Sequence, residues 1–236
     1  MIPKIIHYCW FGGGAISPEN RKCMESWKKY CPDYKIIEWN EDNCDIHCCP
    51  YVEEAYTSKK YAFVTDYVRL YAMYMCGGVY MDTDVEVVRS LDKFLSCRAF
   101  SGFESTHYVP TGIMASEKGL PVIKELLEYY TGRHFLKADG SQDTTTNCVS
   151  ITNIMLSHGL KLDGKLQTVE DFTFYPADFF CPFENETGIL RKTDNTAAIH
   201  WFNKSWLPKG MRFRCKITRA CRRLFGKNCL DWLKRK

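Results

Sequence analysis

The sequence predicts an α/β fold, and its first 86 residues provide three reasons. Apolar runs at 2–11 and 34–39 are typical of strands and flank a helical segment, which gives a β-α-β unit. Residues 61–76 are apolar on nearly every face and exceed the usual length of a strand, so they predict a buried helix. A double glycine ends this helix, and a short apolar strand follows at 79–81.

The other elements follow from local patterns. The three glycines at 12–14 predict a flexible turn where a ligand can approach the backbone, although the GxGxxG pattern is absent. Ser17 and Pro18 are typical of a helix start. The remaining predictions are helices at 20–27, 52–56, 120–130 and 149–158, a helical turn at 91–95, and strands at 85–88, 99–104, 111–115, 168–175, 179–183 and 197–202.

The composition describes a globular protein in a reducing environment. Hydrophobic residues make up 45% of the 236 residues, which suffices for a sizeable core. The thirteen cysteines are odd in number and lack paired CxxC spacing, so we expect reduced thiols rather than disulfides or a zinc site. We also expect a cytoplasmic protein, since no secretory signal and no run of 18 apolar residues is apparent.

Charge divides the chain into a body at 1–208 and a tail at 209–236. The tail carries a net charge of +10 and the body one of −6. Phe213, Ile217 and Leu224 recur at helical spacing among lysines and arginines, which predicts a basic amphipathic helix at 211–224. Such a helix favours docking on an anionic membrane surface. We expect no nucleic-acid partner, because the body is acidic and carries no nucleic-acid-binding motif.

Two carboxylates, Asp82 and Asp84, follow the buried strand at 79–81. Carboxylates at such a position need a partner, and a hard divalent cation bound through their oxygens would supply one. Asp66 and Arg69 are the charged residues of the preceding helix and share one face of it. We therefore expect both side chains to point toward the aspartate pair.

Four segments, taken in order, resemble family 32 glycosyltransferases: IPKIIHYCWFGG, DYVRLY, GGVYMDTDV and HWFNKSW. This family includes bacterial capsular-polysaccharide sugar transferases and the yeast initiating α-mannosyltransferase type, with the glucosylating domains of large clostridial toxins as more distant relatives. The resemblance implies a GT-A fold over residues 1–208, with a Rossmann-like nucleotide-binding half and a mixed central sheet. It also implies a nucleotide-sugar donor, of which a UDP-sugar is the first expectation.

The same resemblance implies Mn²⁺ or Mg²⁺ as cofactor and transfer with retention of anomeric configuration. The acceptor would be a glycan or lipid-linked molecule in surface polysaccharide synthesis, on the inner face of the cell membrane. By position, Trp10 would stack on the base and Cys9 would contact it through the backbone. Asp66 and Arg69 would hold ribose and sugar hydroxyls, and Tyr80 would line the sugar pocket.

Further roles carried over from the resemblance concern the metal and the diphosphate. Asp84 would ligate the metal, Asp82 would contact ribose, sugar and metal-bound water, and His200 would assist at the metal. Asn147 would face the acceptor as part of the donor pocket. The two residues expected to close over the diphosphate and the glycosidic oxygen are Ser205 and Trp206. The implied catalytic residues are Asp82, Asp66, Arg69 and Trp206.

Two other functions fit parts of the sequence. An Asp-x-Asp pair also marks phosphatases and phosphotransferases, in which Asp82 would be the nucleophile. That site usually lies on the first strand, however, and Glu86 stands where such enzymes have a hydroxyl or small residue. The second alternative is a non-catalytic binder that uses its basic tail.

Overall fold

The structure is a computed structural model that describes residues 1–105, 107–110, 112–204, 207, 209–226 and 228–229. Its helices are α1 (Pro18–Tyr30), α2 (Pro50–Thr57), α3 (Tyr61–Cys76), α4 (Pro121–Glu128), α5 (Asn147–Ser157), α6 (Ala177–Phe180) and α7 (Lys209–Phe225). Its strands are β1 (Ile5–Cys9), β2 (Lys35–Trp39), β3 (Gly78–Met81), β4 (Val85–Val87), β5 (Ala99–Gly102), β6 (Ile113–Ser116), β7 (Gln167–Val169), β8 (Phe172–Tyr175) and β9 (Ala198–His200). Residues Asp92–Phe94 form a 3-10 turn.

A mixed sheet forms the centre, with the strand order β2-β1-β3-β6-β5-β8-β7. Strand β1 pairs in parallel with β2 and β3, whereas β6 pairs antiparallel with both β3 and β5. Strands β5 and β8 are again parallel, and β4 with β9 forms a separate antiparallel pair. The predicted α/β fold class with a mixed central sheet is therefore confirmed.

The start and the end of the central helices follow from their local sequence. The Ser17 hydroxyl accepts the N–H of Asn20 and caps α1, whose first residue is Pro18. Helix α3 spans the residues predicted for it and ends at Gly77, whose φ of +68° suits glycine. Strand β3 follows at once and is buried along its whole length. Strand β3 therefore lies in the core, and seven of the sixteen residues of α3 are buried as well.

Two predicted strands are wrong. Residues 168–175 do not form one strand but the hairpin β7–β8, because Glu170 and Asp171 turn the chain with φ of +48° and +66°. Residues 179–183 were expected as a strand, but α6 ends at Phe180 and Phe183 makes only an isolated bridge to Leu190. The ring of Phe180 packs edge-on against Phe94, with 4.8 Å between centroids, so packing decides the conformation here.

The cysteines and the helix lengths are two further features of the described residues. All thirteen cysteines lie in the described part of the chain, and each is a free thiol. Among the described helices, none combines the length and the apolarity that crossing a membrane requires.

Candidate active site

The DXD turn, Asp82–Thr83–Asp84, is held at the end of β3 by backbone hydrogen bonds. The N–H of Asp82 donates to the carbonyl of Gly112, and the N–H of Val85 donates to the carbonyl of Asp82. Strand β4 then begins at Val85 and pairs with β9, in register with His200. The pairing of β4 with β9 therefore brings a histidine from a distant part of the sequence next to the turn.

Asp82, Asp84 and His200 form a group with the chemistry of a metal site. One ligand atom from each residue can be chosen so that all three atoms lie within 4.8 Å of one another. The Nε2 atom of His200 is 3.5 Å from Oδ1 of Asp84. Carboxylate oxygens together with an imidazole nitrogen suit divalent cations such as Mn²⁺, so these residues fit the expected cofactor.

Asp84 is ionised in this environment. Burial disfavours its charge, but the His200 ring and the backbone N–H of Asn203 act in the opposite direction and hold the pKa of Asp84 below its ordinary value. The Asn203 N–H donates to Oδ2 of Asp84 at 2.7 Å. One carboxylate oxygen of Asp84 thus faces Asn203, while the other faces His200.

Arg69 connects α3 with the DXD turn. Its Nη2 atom lies 3.4 Å from Oδ1 of Asp66 and 3.2 Å from Oδ1 of Asp82. Tyr80 completes the group, since its hydroxyl donates to Oδ1 of Asp82 at 2.9 Å and its ring lies 4.5 Å from the Arg69 guanidinium carbon. The placement predicted for Asp66 and Arg69 is confirmed, and their roles in catalysis stay predictions.

Asn147 is buried against Asp66 at the start of α5. Its backbone N–H donates to Oδ2 of Asp66 and its side-chain amide donates to the Asp66 carbonyl, each at 3.0 Å. Its Oδ1 atom is buried and has no hydrogen-bond partner among the described residues. Burial raises the pKa of Asp66 to about 6 although Arg69 and this N–H oppose the shift. Asn147 therefore belongs to the surroundings of Asp66; a contact with the acceptor stays a prediction.

Cys9 and Trp10 lie where β1 ends, beside β3 in the sheet. Cys9 is buried, and the indole N–H of Trp10 donates to the carbonyl of Gly14. In the same turn, the N–H of Gly12 donates to Oε1 of Glu41 at 2.7 Å. The predicted base-binding residues and the DXD turn therefore lie at the ends of neighbouring strands. The predicted lid residues Ser205 and Trp206 lie outside the described residues.

The structure adds polar residues that sequence reasoning did not select. Asn20 hydrogen-bonds to Thr83 of the DXD turn, and Asn203 hydrogen-bonds to Asp84. Glu104 follows β5, and its Oε2 atom lies 3.7 Å from Sγ of Cys148. Burial raises the pKa of the Glu104 carboxyl, and the charges it senses include those of His200 and Asp82. A polar residue at the end of an apolar strand was the available signal for Glu104, whereas Asn20 carried none.

Comparison with known proteins relates the segment around the DXD turn to a protein family. Residues 17–101, which include α3 and the DXD turn, match the family model described as "Glycosyltransferase sugar-binding region containing DXD motif". Over these 85 residues, the chain is similar to the sugar-binding region of DXD glycosyltransferases. This finding weighs against the phosphatase and the non-catalytic alternatives, and Asp82–Thr83–Asp84 lies within the matched residues as their DXD sequence.

Three relatives of the chain are named as glycosyltransferases or as a lipid-glycosylating synthase. The chain is 29% identical over 149 residues to inositol phosphoceramide mannosyltransferase 3 of Schizosaccharomyces pombe, covering 57% of this chain and 40% of that protein. It is 30% identical over 142 residues to mannosyl phosphorylinositol ceramide synthase CSH1 of Saccharomyces cerevisiae, covering 55% and 36%. The uncharacterized glycosyltransferase L373 of Acanthamoeba polyphaga mimivirus is 27% identical over 157 residues, covering 62% and 61%. The matched part of the chain therefore spans less than two thirds of the length of each of these relatives.

Two solved structures are similar to the chain over most of its length. The PaToxG glycosyltransferase is 20% identical with a TM-score of 0.48, covering 66% of this chain and 68% of that one. The galactosyltransferase LgtC, solved with donor and acceptor sugar analogs, is 14% identical with a TM-score of 0.46, covering 91% and 93%. In the present chain itself, a parallel β2-β1-β3 half leads into the DXD turn and a mixed second half follows, as expected of the GT-A fold.

Proposed function

We propose that this glycosyltransferase transfers a sugar from a nucleotide-sugar donor, with retention of configuration, using Mn²⁺ or Mg²⁺ held by Asp82, Asp84 and His200. The observation that carries the proposal is the convergence of these three side chains within 4.8 Å beside Arg69. A UDP-sugar is the donor that the resemblance to family 32 favours. When bound, the cation would neutralise charge on the diphosphate leaving group.

The residues around the DXD turn would bind and orient the donor sugar. Arg69 offers a planar fork of N–H donors, and Asp66 and Asp82 hold that fork in place. The hydroxyl of Tyr80 is directed at Asp82 rather than at solvent, so one carboxylate oxygen of Asp82 is already oriented. Such a constrained group can select one arrangement of sugar hydroxyls without reorganising when the donor binds.

For the acceptor, we propose a lipid-linked molecule with an anionic headgroup. The names of two relatives specify inositol phosphoceramide and mannosyl phosphorylinositol ceramide, both of which are phosphate-bearing lipids. A glycan acceptor in surface polysaccharide synthesis is the alternative that the resemblance to bacterial family members favours. Both acceptors place the active site next to a membrane.

We further propose that α7 docks the enzyme peripherally on an anionic membrane surface, on its cytoplasmic face. The helix is rich in lysine and arginine, and it exposes five large apolar side chains to solvent: Met211, Phe213, Ile217, Leu224 and Phe225. A helix that combines basic charge with exposed apolar side chains binds at the interface of anionic bilayers. Tail docking would hold the DXD site close to a lipid-linked acceptor.

Donor and metal dependence are tested by nucleotide release from a panel of UDP- and GDP-sugars, with Mn²⁺ and with EDTA. We expect one donor to turn over with Mn²⁺ and turnover to fall at least about 100-fold in Asp84→Asn, which loses the ligand charge at the DXD motif. Asp194→Asn is the matched control, because Asp194 is fully exposed and lies outside the site. Turnover that is insensitive to EDTA and to Asp84→Asn would overturn the proposal.

Membrane docking is tested by sedimentation with phosphatidylserine-containing vesicles and with neutral phosphatidylcholine vesicles. We expect the full chain to bind only the anionic vesicles, and the double variant F213S/I217S to bind them at least about tenfold more weakly. The matched control is L156S/L166S, which removes two exposed leucines elsewhere on the surface. Equal binding by the two double variants would contradict docking through α7.

A further inference from the structure

Asn20 is a fully buried amide that connects three distant parts of the chain. It lies in the first turn of α1 and has no solvent exposure. Its Nδ2 atom donates to the hydroxyl of Thr83 at 2.8 Å, and its Oδ1 atom accepts from Nδ2 of Asn203 at 2.9 Å. A buried amide is costly unless its polar atoms are paired, so these two hydrogen bonds account for its presence in the core.

Helix α1 is a rigid support for this amide. The Ser17 cap fixes its first turn, and farther along Trp27 is fully buried and donates its indole N–H to the carbonyl of Val85. Val85 is the first residue of β4, directly after the DXD turn. Helix α1 therefore holds the DXD turn at two points, through Asn20 at Thr83 and through Trp27 at Val85.

The segment at 202–204 is held in a backbone conformation that its residues do not favour. Phe202 and Lys204 both have φ of +51°, a left-handed backbone conformation that residues other than glycine rarely adopt. Such conformations persist where surrounding contacts determine them. Between them, Asn203 is fixed by its side-chain bond to Asn20 and by its backbone bond to Asp84.

This segment touches two of the three candidate metal ligands. The N–H of Asn203 donates to Oδ2 of Asp84, and the ring of Phe202 stacks on the His200 ring with 3.9 Å between centroids. A shift in the position of Asn203 would therefore change the orientation of the Asp84 carboxylate and the packing of Phe202 against His200. Replacing a residue that orients a metal ligand in this manner typically lowers metal affinity by about 10- to 100-fold.

We propose that Asn20, acting through Asn203, is a positioning residue of the metal site: it locks the strained segment at 202–204 onto the DXD turn and so sets the orientation of Asp84. The proposal rests on the proposed function, because it takes Asp84 as a metal ligand. Asn20 acts through its hydrogen bonds to Thr83 and Asn203 and is not one of the three candidate ligands.

The first test measures the Mn²⁺ dissociation constant by counting free Mn²⁺ with electron paramagnetic resonance, in separate arms with UDP and with GDP. We expect Mn²⁺ binding to weaken about 10- to 100-fold in Asn20→Ala and in Asn203→Ala. Asn203→Ala is informative because it removes the amide bond to Asn20 but keeps the backbone N–H that faces Asp84. The double variant should be little weaker than either single variant, since both remove one connection.

A matched control separates positioning from a general loss of stability. Thr196→Val removes a fully buried hydroxyl that bonds the N–H of Thr193 and the carbonyl of Asp178, away from the DXD turn. It should lower the unfolding temperature without changing Mn²⁺ affinity. A second readout needs no metal: hydrogen exchange at the Asn203 amide should accelerate in Asn20→Ala and stay unchanged in Thr196→Val.

The outcomes distinguish this proposal from the function on which it rests. Wild-type Mn²⁺ binding that is lost in Asp84→Asn and weakened in both asparagine variants supports the proposal. Wild-type binding that is lost in Asp84→Asn but unchanged in both asparagine variants overturns the positioning role and leaves the proposed function in place. Failure of the wild-type protein to bind Mn²⁺ with either nucleotide overturns both.

Discussion

The Nη2 atom of Arg69 lies 3.2 Å from Oδ1 of Asp82 and so joins α3 to the DXD turn. The side chain of Arg69 is 10% exposed, and the same nitrogen also lies 3.4 Å from Oδ1 of Asp66. One guanidinium therefore compensates two carboxylates from different elements. Because little solvent reaches this group, each carboxylate depends on the arginine for its counter-charge.

Replacing Arg69 with methionine should lower the free energy of unfolding by about 3–5 kcal/mol, because it leaves the buried carboxylate of Asp66 and the partly exposed carboxylate of Asp82 without this cation. Urea unfolding of the metal-free protein measures this change. Arg98→Met is the control: Arg98 pairs with Glu117 and Asp171, but its side chain is 52% exposed. The control should cost at most about 1 kcal/mol. Equal losses in the two variants would contradict the account of Arg69.

The raised pKa of Asp66 predicts how stability depends on pH. Between the ordinary pKa of 3.8 and the folded value of about 6, the folded protein holds a proton that the unfolded chain has released. The contribution of Asp66 is therefore fully present below pH 3.8 and is lost as the pH rises through about 6. The loss amounts to about 3 kcal/mol.

Asp66→Asn should remove this contribution, since an amide does not titrate. Unfolding free energies of the metal-free wild type and the variant should be measured from about pH 4 to pH 7, and the wild type should lose about 3 kcal/mol relative to the variant as the pH rises. Asp194→Asn, at a fully exposed site, should follow the wild type across this range. Parallel curves for Asp66→Asn and the wild type would show that Asp66 titrates normally.

The order α3, glycine break, β3 and DXD turn could be predicted because each step depends on neighbouring residues. Apolar length, a double glycine and a short run of β-formers are local signals, and the structure places all of them as expected. The hairpin at β7–β8 was missed for the same reason. Its turn residues, Glu170 and Asp171, are not the usual glycine or asparagine. The alternation of apolar residues therefore continues across them and predicts one uninterrupted strand.

Contacts between distant segments could not be predicted in this way. Asn147 meets Asp66 from 81 residues away, and Asn203 meets Asn20 from 183 residues away. Nothing in the residues next to these asparagines marks them, because they satisfy buried polar groups that only the folded chain creates. His200 was identified through the resemblance, and its position follows from the pairing of β9 with β4.

The turn after β1 should distinguish Gly12 from Gly13. Both have positive φ, +84° and +64°, so alanine is strained at either position. A Cβ atom at Gly13 would meet open space, whereas one at Gly12 would overlap the ring of Tyr61, the first residue of α3. Gly13→Ala should therefore cost about 1–2 kcal/mol of stability, and Gly12→Ala clearly more, in urea unfolding.

The same pair of variants tests whether this turn borders the donor site. Displacement of Tyr61 and of the turn should disturb Trp10, whose indole donates to Gly14. Nucleotide affinity, measured by calorimetry with Mn²⁺ present, should therefore fall in Gly12→Ala and stay near the wild-type value in Gly13→Ala. Equal nucleotide affinity in both variants would separate the turn from base binding.

Arg219 should determine how firmly α7 is attached to the body. Its Nε atom donates to the carbonyl of Asn185 at 2.9 Å, and its Nη2 atom donates to Oδ1 of Asn185 at 2.7 Å and to the carbonyl of Phe202 at 3.0 Å. The guanidinium carbon also lies 5.3 Å from the centre of the Phe183 ring. Hydrogen bonds from a charged donor contribute about 1.5–3 kcal/mol each, so this residue is a strong attachment point.

Arg219→Ala should therefore accelerate hydrogen exchange along α7 by at least about tenfold, since the helix would open without disturbing the central sheet. Arg223→Ala is the matched control, because it removes the same charge from an exposed position on the same helix. Both variants should lose similar affinity for anionic vesicles, because each removes one positive charge from α7. Only Arg219→Ala should change the exchange rate. Equal exchange in the two variants would mean that α7 is attached by contacts other than those of Arg219.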